Sequence, residues 1–275
     1  GNTVTVINPA TGAIVSSVFV GSEPRKLAMS DDAQFLYVAL DGAAAVRQVD
    51  LATMTAGLQF PLGADSFLGL FYVEDMEVLP GAPNSVAVSR RNQGFSPRHQ
   101  GVAIYDDGVK RPTETPGHTG SNVIVFSESA ATLYGYNNET TEFGFRRMLV
   151  SSSGVTVATV QSGLISGFGV DIEFDGGRIY ATGGAVVDPA SGTLAGSFAA
   201  TGFVRPDVAK ARVFFLEPGA QTVRAFDATT FTPAGSVSVP GVSGAAGSFI
   251  RWDVDGLAFR TAQQVVIIRT DLVPP

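Results

Sequence analysis

The sequence predicts an all-β fold: a β-propeller of four-stranded antiparallel blades that takes residues 1–275 as one domain. Two recurring strand pairs and the lack of any long helical period carry that expectation. The first pair is a hairpin, "VINPATGAIVSSVFVG" from Val6, in which two alternating strands flank a short turn. It returns as "VDLATMTAGLQFPLG" from Val49, "VDPASGTLAGSFAATG" from Val187 and "FDATTFTPAGSVSVPG" from Phe226. A polar residue closes the first strand of each copy: Asn8, Asp50, Asp188 and Asp227. Aligned on it, neighbouring copies recur at about 40 residues, within the range of four-stranded propeller blades. Asp106 in "GVAIYDDG" marks a further copy, "FRRMLVSS" a worn one and "QVVIIRTD" the last.

Between these hairpins lies the second pair. "RKLAMSDDAQFLYVAL", "EDMEVLPGAPNSVAVS", "NVIVFSESAATLYGY", "VDIEFDGGRIYAT", "VRPDVAKARVFFL" and "FIRWDVDGLAFRT" each read as strand, turn, strand. Each unit therefore holds four short strands, a to d, rich in Val, Phe, Leu, Tyr and Thr and separated by turn residues. One such sheet cannot bury both faces alone, and radial stacking against two neighbours solves that. The chain opens on c–d and closes on a–b–c, so the count is six to seven blades. Seven is favoured, with an incomplete first blade lacking its a and b strands. An open blade edge then predicts association with another chain.

Composition bounds the function. Hydrophobic residues are 45% and charged residues 16%, enough for a large core and unlike a disordered chain. The net charge is −7 with one short basic stretch, "SRRNQGFSPR", which argues against a nucleic-acid partner. No apolar run approaches the ~18 residues of a membrane span. The absence of cysteine excludes disulfides, thiolate metal sites and cysteine nucleophiles. The chain starts directly in strand pattern, "GNTVTVINP", with no signal peptide in these residues; earlier removal of a leader is compatible with this.

The run "VINPATGAIVSSVFVGSEPRKLAMSDDAQFLYVAL" resembles the repeat of the YVTN β-propeller family, with the naming tetrapeptide altered to Tyr37-Val38-Ala39-Leu40. The likeness is good over the first repeat, patchy from Phe67 to Gly154 and recognisable again from Gly167; "GLAFRT", Gly256 to Thr261, is similar to the last blade of uncharacterised bacterial propellers. The resemblance implies a secreted, periplasmic or cell-surface bacterial propeller and no catalytic residues, because the motif is structural.

Propeller topology sorts loops by face. The tight turns "PATG", "LATM", "PASG", "SDDA" and "DVDG" belong to one side, and the b–c and d–a connections to the other. The long irregular segments Ser89–Gly101, Gly63–Asp75 and Pro116–Asn122 fall on the second side, where function tends to be carried. They hold both histidines, His99 and His118, with Glu74, Arg90, Arg91 and Arg98. These residue types can form an acid–base pair or a metal set, but the histidines lack metal-ligand spacing and read as exposed loop residues. The arginines read as a solvated loop or salt-bridged brace, with an anion site as the alternative.

A second constellation opens the inner strands: Arg25, Asp75, Asn122, Asp171, Arg205 and Arg251. Asp75, Asn122 and Asp171 could offer oxygen ligands to Ca²⁺, a set similar to that of lactonase-type propellers. The arginines instead suggest a mixed-charge ring that orders water. Asn138-Glu139-Thr140 is a glycosylation acceptor pattern. The expected function is a non-catalytic binding or scaffold propeller for a protein or glycan ligand, with no cofactor. The ligand-binding face is assigned to Glu74, Arg90, Arg91, Arg98, His99, His118, Arg205 and Arg251. The alternative is a Ca²⁺-dependent lactonase-like or lyase-like enzyme.

Overall fold

The computed structural model describes every residue except Pro218, Ala220 and Pro275. Its contacts divide the chain into two compact units, Gly1–Gly163 and Leu164–Pro275. Among the described residues helix is confined to two single 3₁₀ turns, Asp41–Ala43 and Val208–Lys210, and none is long and apolar enough to cross a membrane.

The first unit opens with the hairpin β1 (Thr3–Ile7) and β2 (Ile14–Phe19). A four-stranded sheet follows: β3 (Pro24–Met29), β4 (Phe35–Leu40), β5 (Ala45–Asp50) and β6 (Thr55–Pro61). A short ribbon, β7 (Ala64–Asp65) and β8 (Gly69–Leu70), leads to a second sheet. That sheet is β9 (Tyr72–Leu79), β10 (Ala82–Arg91), β11 (His99–Asp106) and β12 (Val109–Lys110). The third sheet is β13 (Val123–Phe126), β14 (Thr132–Tyr136), β15 (Phe145–Ser151) and β16 (Gly154–Gln161). The inner strand β9 lies between inner strands β3 and β13.

The second unit repeats the scheme. One sheet is β17 (Ile172–Asp175), β18 (Arg178–Ala181), β19 (Ala185–Asp188) and β20 (Thr193–Ser197). The next is β21 (Phe203–Asp207), β22 (Arg212–Glu217), β23 (Thr222–Asp227) and β24 (Pro233–Ser238). The last has three strands, β25 (Ser248–Trp252), β26 (Gly256–Arg260) and β27 (Val265–Arg269). Every pairing in these sheets is antiparallel, as in propeller blades.

Six sheets thus carry an a–b pair, so the blade count is six and the preference for seven is corrected. The hairpin β1–β2 repeats the c–d motif without inner strands of its own. It packs through Val4 and Val18 on Val20, Leu36, Val38, Leu40 and Val49.

Strand alternation explains the packing, because successive side chains point to opposite faces. In β22, Val213 and Phe215 enter the core shared with β17–β20, while Phe214 and Leu216 enter the core shared with β25–β27. In β11, Ala103 and Tyr105 face the β3–β6 sheet, and Val102 and Ile104 face β13–β16. Sheets buried on both faces read as apolar runs rather than half-polar strands, which is why "VFFL" and "VAIY" appear.

The polar residue that closes each c strand is a turn cap. Oδ1 of Asp227 accepts the N–H groups of Thr229 (2.9 Å) and Thr230 (2.8 Å); Asp188 serves Ala190 and Ser191, Asp50 serves Thr53, and Asn8 serves Ala10. These backbone donors hold the carboxyls of Asp50, Asp188 and Asp227 below the ordinary aspartate value of 3.8. The contribution of these turns is present above that value and is lost as pH falls through the depressed native values.

Phe198 packs against Phe215, Phe226 and Phe231 with ring centroids 5.2–5.4 Å apart. Phe198→Ala is expected to destabilise the second unit by about 3–5 kcal/mol, read from urea unfolding. An effect below ~1 kcal/mol would show that this core is not the packing centre described.

Candidate functional site

In the first unit the b–c and d–a connections gather on one face, and a chain of charges runs through them. Arg25 on β3 lies 3.7 Å from Asp41, which begins the 3₁₀ turn after β4. Asp41 Oδ2 accepts from Arg91 at 2.8 Å, and Arg91 Nε lies 3.3 Å from Glu74 on β9. Glu74 Oε1 accepts from Arg98 at 2.8 Å, and Arg98 Nη1 lies 3.3 Å from Glu139 in the loop after β14. Glu139 also accepts from the Arg98 backbone N–H (2.7 Å) and from Asn122 Nδ2 (3.1 Å). Alternating signs thus link three successive sheets. The carboxylates are largely buried, so the pairs are less screened than surface ones. The Glu74 carboxylate is the main reason the Arg98 pKa lies above its ordinary value.

A parallel brace joins the inner strands themselves. Asp75 is buried on β9; its Oδ1 accepts from Lys26 Nζ on β3 at 3.0 Å and its Oδ2 from the Ile124 N–H on β13 at 2.9 Å. Asn122 is fully buried beside β13. Among the described residues no group of three or more His, Asp or Glu side chains is arranged to hold a metal.

The second unit uses the same device. Arg205 on β21 pairs with Glu173 on β17 and donates to the Phe249 carbonyl on β25 at 2.5 Å. Arg251 on β25 pairs with Asp207 at 2.9 Å and donates to the carbonyls of Gly256 and Val254. Asp171 stays local: its Oδ1 accepts the Ile172 N–H, and its own N–H donates to Thr182 Oγ1.

The segment read as one loop, Ser89–Gly101, has strand at both ends. Ser89–Arg91 belong to β10 and His99–Gly101 to β11, which leaves Asn92–Arg98 as the connection. Arg90 is 2% exposed; it pairs with Glu114 at 3.1 Å and stacks over Phe71 at 4.8 Å. His99 has no exposed surface, which corrects its reading as an exposed loop residue. The cause is non-local. The segment after β12 runs alongside β11, with hydrogen bonds from Thr115 N to Val102 O and from His118 N to His99 O. It brings Gly120 so close that a Cβ there would lie 2.2 Å from His99 Nε2. Neither ring nitrogen has a partner among the described residues. Burial, reinforced by Arg146, Arg90 and Arg98, pushes the His99 pKa down to about 3. His118 lies beside it in the chain path but outside, its Nδ1 3.0 Å from Thr119 Oγ1. Asn138 is buried, so the glycosylation pattern does not present its acceptor to solvent.

Two exposed aromatics on this face were not among the sequence candidates. Phe67 caps the β7–β8 ribbon and is 86% exposed. Asp65 Oδ1 accepts the N–H groups of Phe67 and Leu68, both at 2.8 Å, which stiffens the tip. Asn92 Nδ2 donates to the Leu68 and Leu70 carbonyls and ties the ribbon to the loop that carries Phe95, 45% exposed. The available signal was the apolar "SFLGLF" inside a d–a connection, where apolar residues have no core to fill.

The chain matches no family model and no curated protein sequence. Its fold does have counterparts. It is similar to a chain of hydrazine synthase from Kuenenia stuttgartiensis, with TM-score 0.76 and 14% identity over 99% of this chain and 90% of that one. It is also similar to the β-propeller domain of Myceliophteria thermophila Cps50 (Swd1), with TM-score 0.73 and 12% identity over 96% and 89% of the two chains. At such identities the likeness speaks of fold alone, and the fold of this chain is a β-propeller.

Two outcomes follow from the site's electrostatics. Glu74→Gln removes the anion shared by Arg91 and Arg98 and is expected to destabilise by about 1–3 kcal/mol, less than a fully buried pair because Arg98 is partly solvated. His99 is neutral when folded down to about pH 3 and takes up a proton when unfolded below about 6.5. Its contribution is therefore complete above pH 6.5 and is lost on acidification towards 3, with a slope of up to ~1.4 kcal/mol per pH unit. His99→Leu should flatten that part of the stability–pH curve measured by urea unfolding; an unchanged slope would refute the assignment.

Proposed function

We propose that this chain is a non-catalytic binding propeller that presents the b–c and d–a face of its first unit to a protein or glycan ligand. One contrast carries the reading. The charged side chains there, Glu74, Asp75, Arg91, Arg98 and Glu139, are engaged in bracing one sheet to the next, and Arg90 is buried against Glu114 and Phe71. Phe67 and Phe95, on stiffened loops above them, are left to solvent. Preformed aromatic anchors are what binding surfaces use, because little conformational freedom is lost on contact. Arg98, one-third exposed, supplies a polar neighbour. Placement at a bacterial surface or in a secreted protein is part of this proposal and rests on the resemblance of the first repeat to surface propellers.

The alternative, a Ca²⁺-dependent lactonase-like or lyase-like site, needs Asp75 released from Lys26 and the Ile124 N–H. The reading is tested by probing peptide and glycan arrays with the chain and titrating it with CaCl₂. Ligands found on the arrays should lose at least ~tenfold in affinity with Phe67→Ala plus Phe95→Ala, with the melting temperature unchanged. Ca²⁺ binding that disappears in Asp75→Ala, together with hydrolysis of a simple lactone, would overturn it.

A further inference from the structure

Residues 112–120, between β12 and β13, form a strap across two sheets of the first unit. At its start the Thr113 N–H donates to Ser153 O at 2.7 Å, and Thr113 O accepts from the Val155 N–H at 3.1 Å. The strap then follows β11. Thr115 Oγ1 accepts the Val102 N–H, and the N–H groups of Thr115 and His118 donate to Val102 O and His99 O. Glycines let it lie so close. A Cβ on Gly154 (φ +130°) would collide with the Thr113 carbonyl, one on Gly101 (φ +77°) with that of Thr115, and one on Gly120 with the His99 ring.

Polar contacts alone hold the strap down. "PTETPGHTG" has no Val, Leu, Ile, Met, Phe, Tyr or Trp to anchor it in a core. Its ionic anchor is Glu114, which pairs with buried Arg90 at 3.1 Å and with Lys110. Segments with few apolar contacts open at lower free energy than the sheets beneath them. Beneath this one lies His99, wholly buried. Three guanidiniums act on its ring: Arg146 on β15, Arg90 on β10 and Arg98 in its own loop. Their carboxylate partners, Glu142, Glu114, Glu74 and Glu139, bond to them, and neither ring nitrogen has a partner among the described residues. His118 on the strap is exposed, with Nδ1 at Thr119 Oγ1. An imidazolium under the closed strap would therefore sit among like charges.

We propose that the strap is an acid-released latch: it opens as a unit while the sheets stay folded, and proton uptake by His99 and Glu114 drives the opening. Both groups act in one direction. Burial, with the three guanidiniums, holds His99 at about 3, and opening returns it towards its ordinary 6.5. Opening thus takes up a proton between those values, and closure is complete above 6.5. Burial raises the Glu114 carboxyl, but hydrogen bonds from Lys110 and Arg90 outweigh it and hold the group below its ordinary 4.5. This anchor is present above that value and is lost as pH falls through the lowered native one.

Native-state hydrogen exchange followed by NMR reads the latch amide by amide. At pH 7 the Thr115 and His118 amides should be at least ~tenfold less protected than those of Leu133 and Tyr134 in β14, and less sensitive to low urea. Corrected for intrinsic exchange, their opening should rise by up to ~tenfold per pH unit on acidification from 6.5 to 5, and His99→Leu should remove that rise. Glu114→Gln should raise the opening at pH 7 about tenfold. Gly120→Ala, which sets a methyl against the His99 ring, should open the strap at pH 7 with the β14 amides unchanged. Strap and β14 amides that share one protection and one urea dependence would overturn the proposal, because the strap would then open only with the whole unit. So would a pH rise that survives His99→Leu, or an opening that Glu114→Gln leaves unchanged.

Discussion

A sheet with two apolar faces has no stable place except between two others, and the rest of this structure depends on that constraint. Phe214 and Phe215 are neighbours in sequence yet fill different cores, because β22 sends alternate side chains to opposite sheets. The same division runs through β4, where Tyr37 and Ala39 face one sheet and Leu36, Val38 and Leu40 another. Tyrosines at these interfaces bond across them: Tyr37 donates to the Pro83 carbonyl on β10 and Tyr105 to that of Leu62 after β6. Each blade is thereby fixed by its neighbour rather than by itself, as repeat architectures require.

The innermost strands are also joined to one another by polar contacts. Asp75 answers both an ammonium and a backbone N–H from the two flanking blades, and Glu74 is held between two guanidiniums. In the second unit Arg205 and Arg251 do the equivalent with Glu173 and Asp207. The charge of each carboxylate so placed is matched by the cation beside it. The charged residues become part of the scaffold beneath the exposed tips Phe67 and Phe95.

The fold likenesses, at 14% and 12% identity, concern the architecture alone. Alternation, turn caps and a two-sided core admit many sequences, whereas loop tips are free to differ. Function on such a scaffold has to be argued from the tips and braces of this chain, not inherited from the architecture.

Much of this was legible in the residues themselves. The strand pairs, their period and the antiparallel sheets follow from alternation and turn residues, which are local properties. The recurring Asn8, Asp50, Asp188 and Asp227 read correctly as turn markers, because the N–H groups they accept lie two or three residues away. Glu74, Arg91 and Arg98, grouped by loop order, are joined by ion pairs. What the sequence could not decide was who partners whom across blades. His99 looked like a loop residue because the segment that buries it arrives from Thr115 to Gly120. Asp75 looked like a free ligand because Lys26 and Ile124 each stand 49 residues from it. The seventh blade was counted from the c–d hairpin β1–β2, which among the described residues is a two-stranded sheet. Burial and ion pairing are set by the approach of separate sheets, so only the tertiary structure decided them.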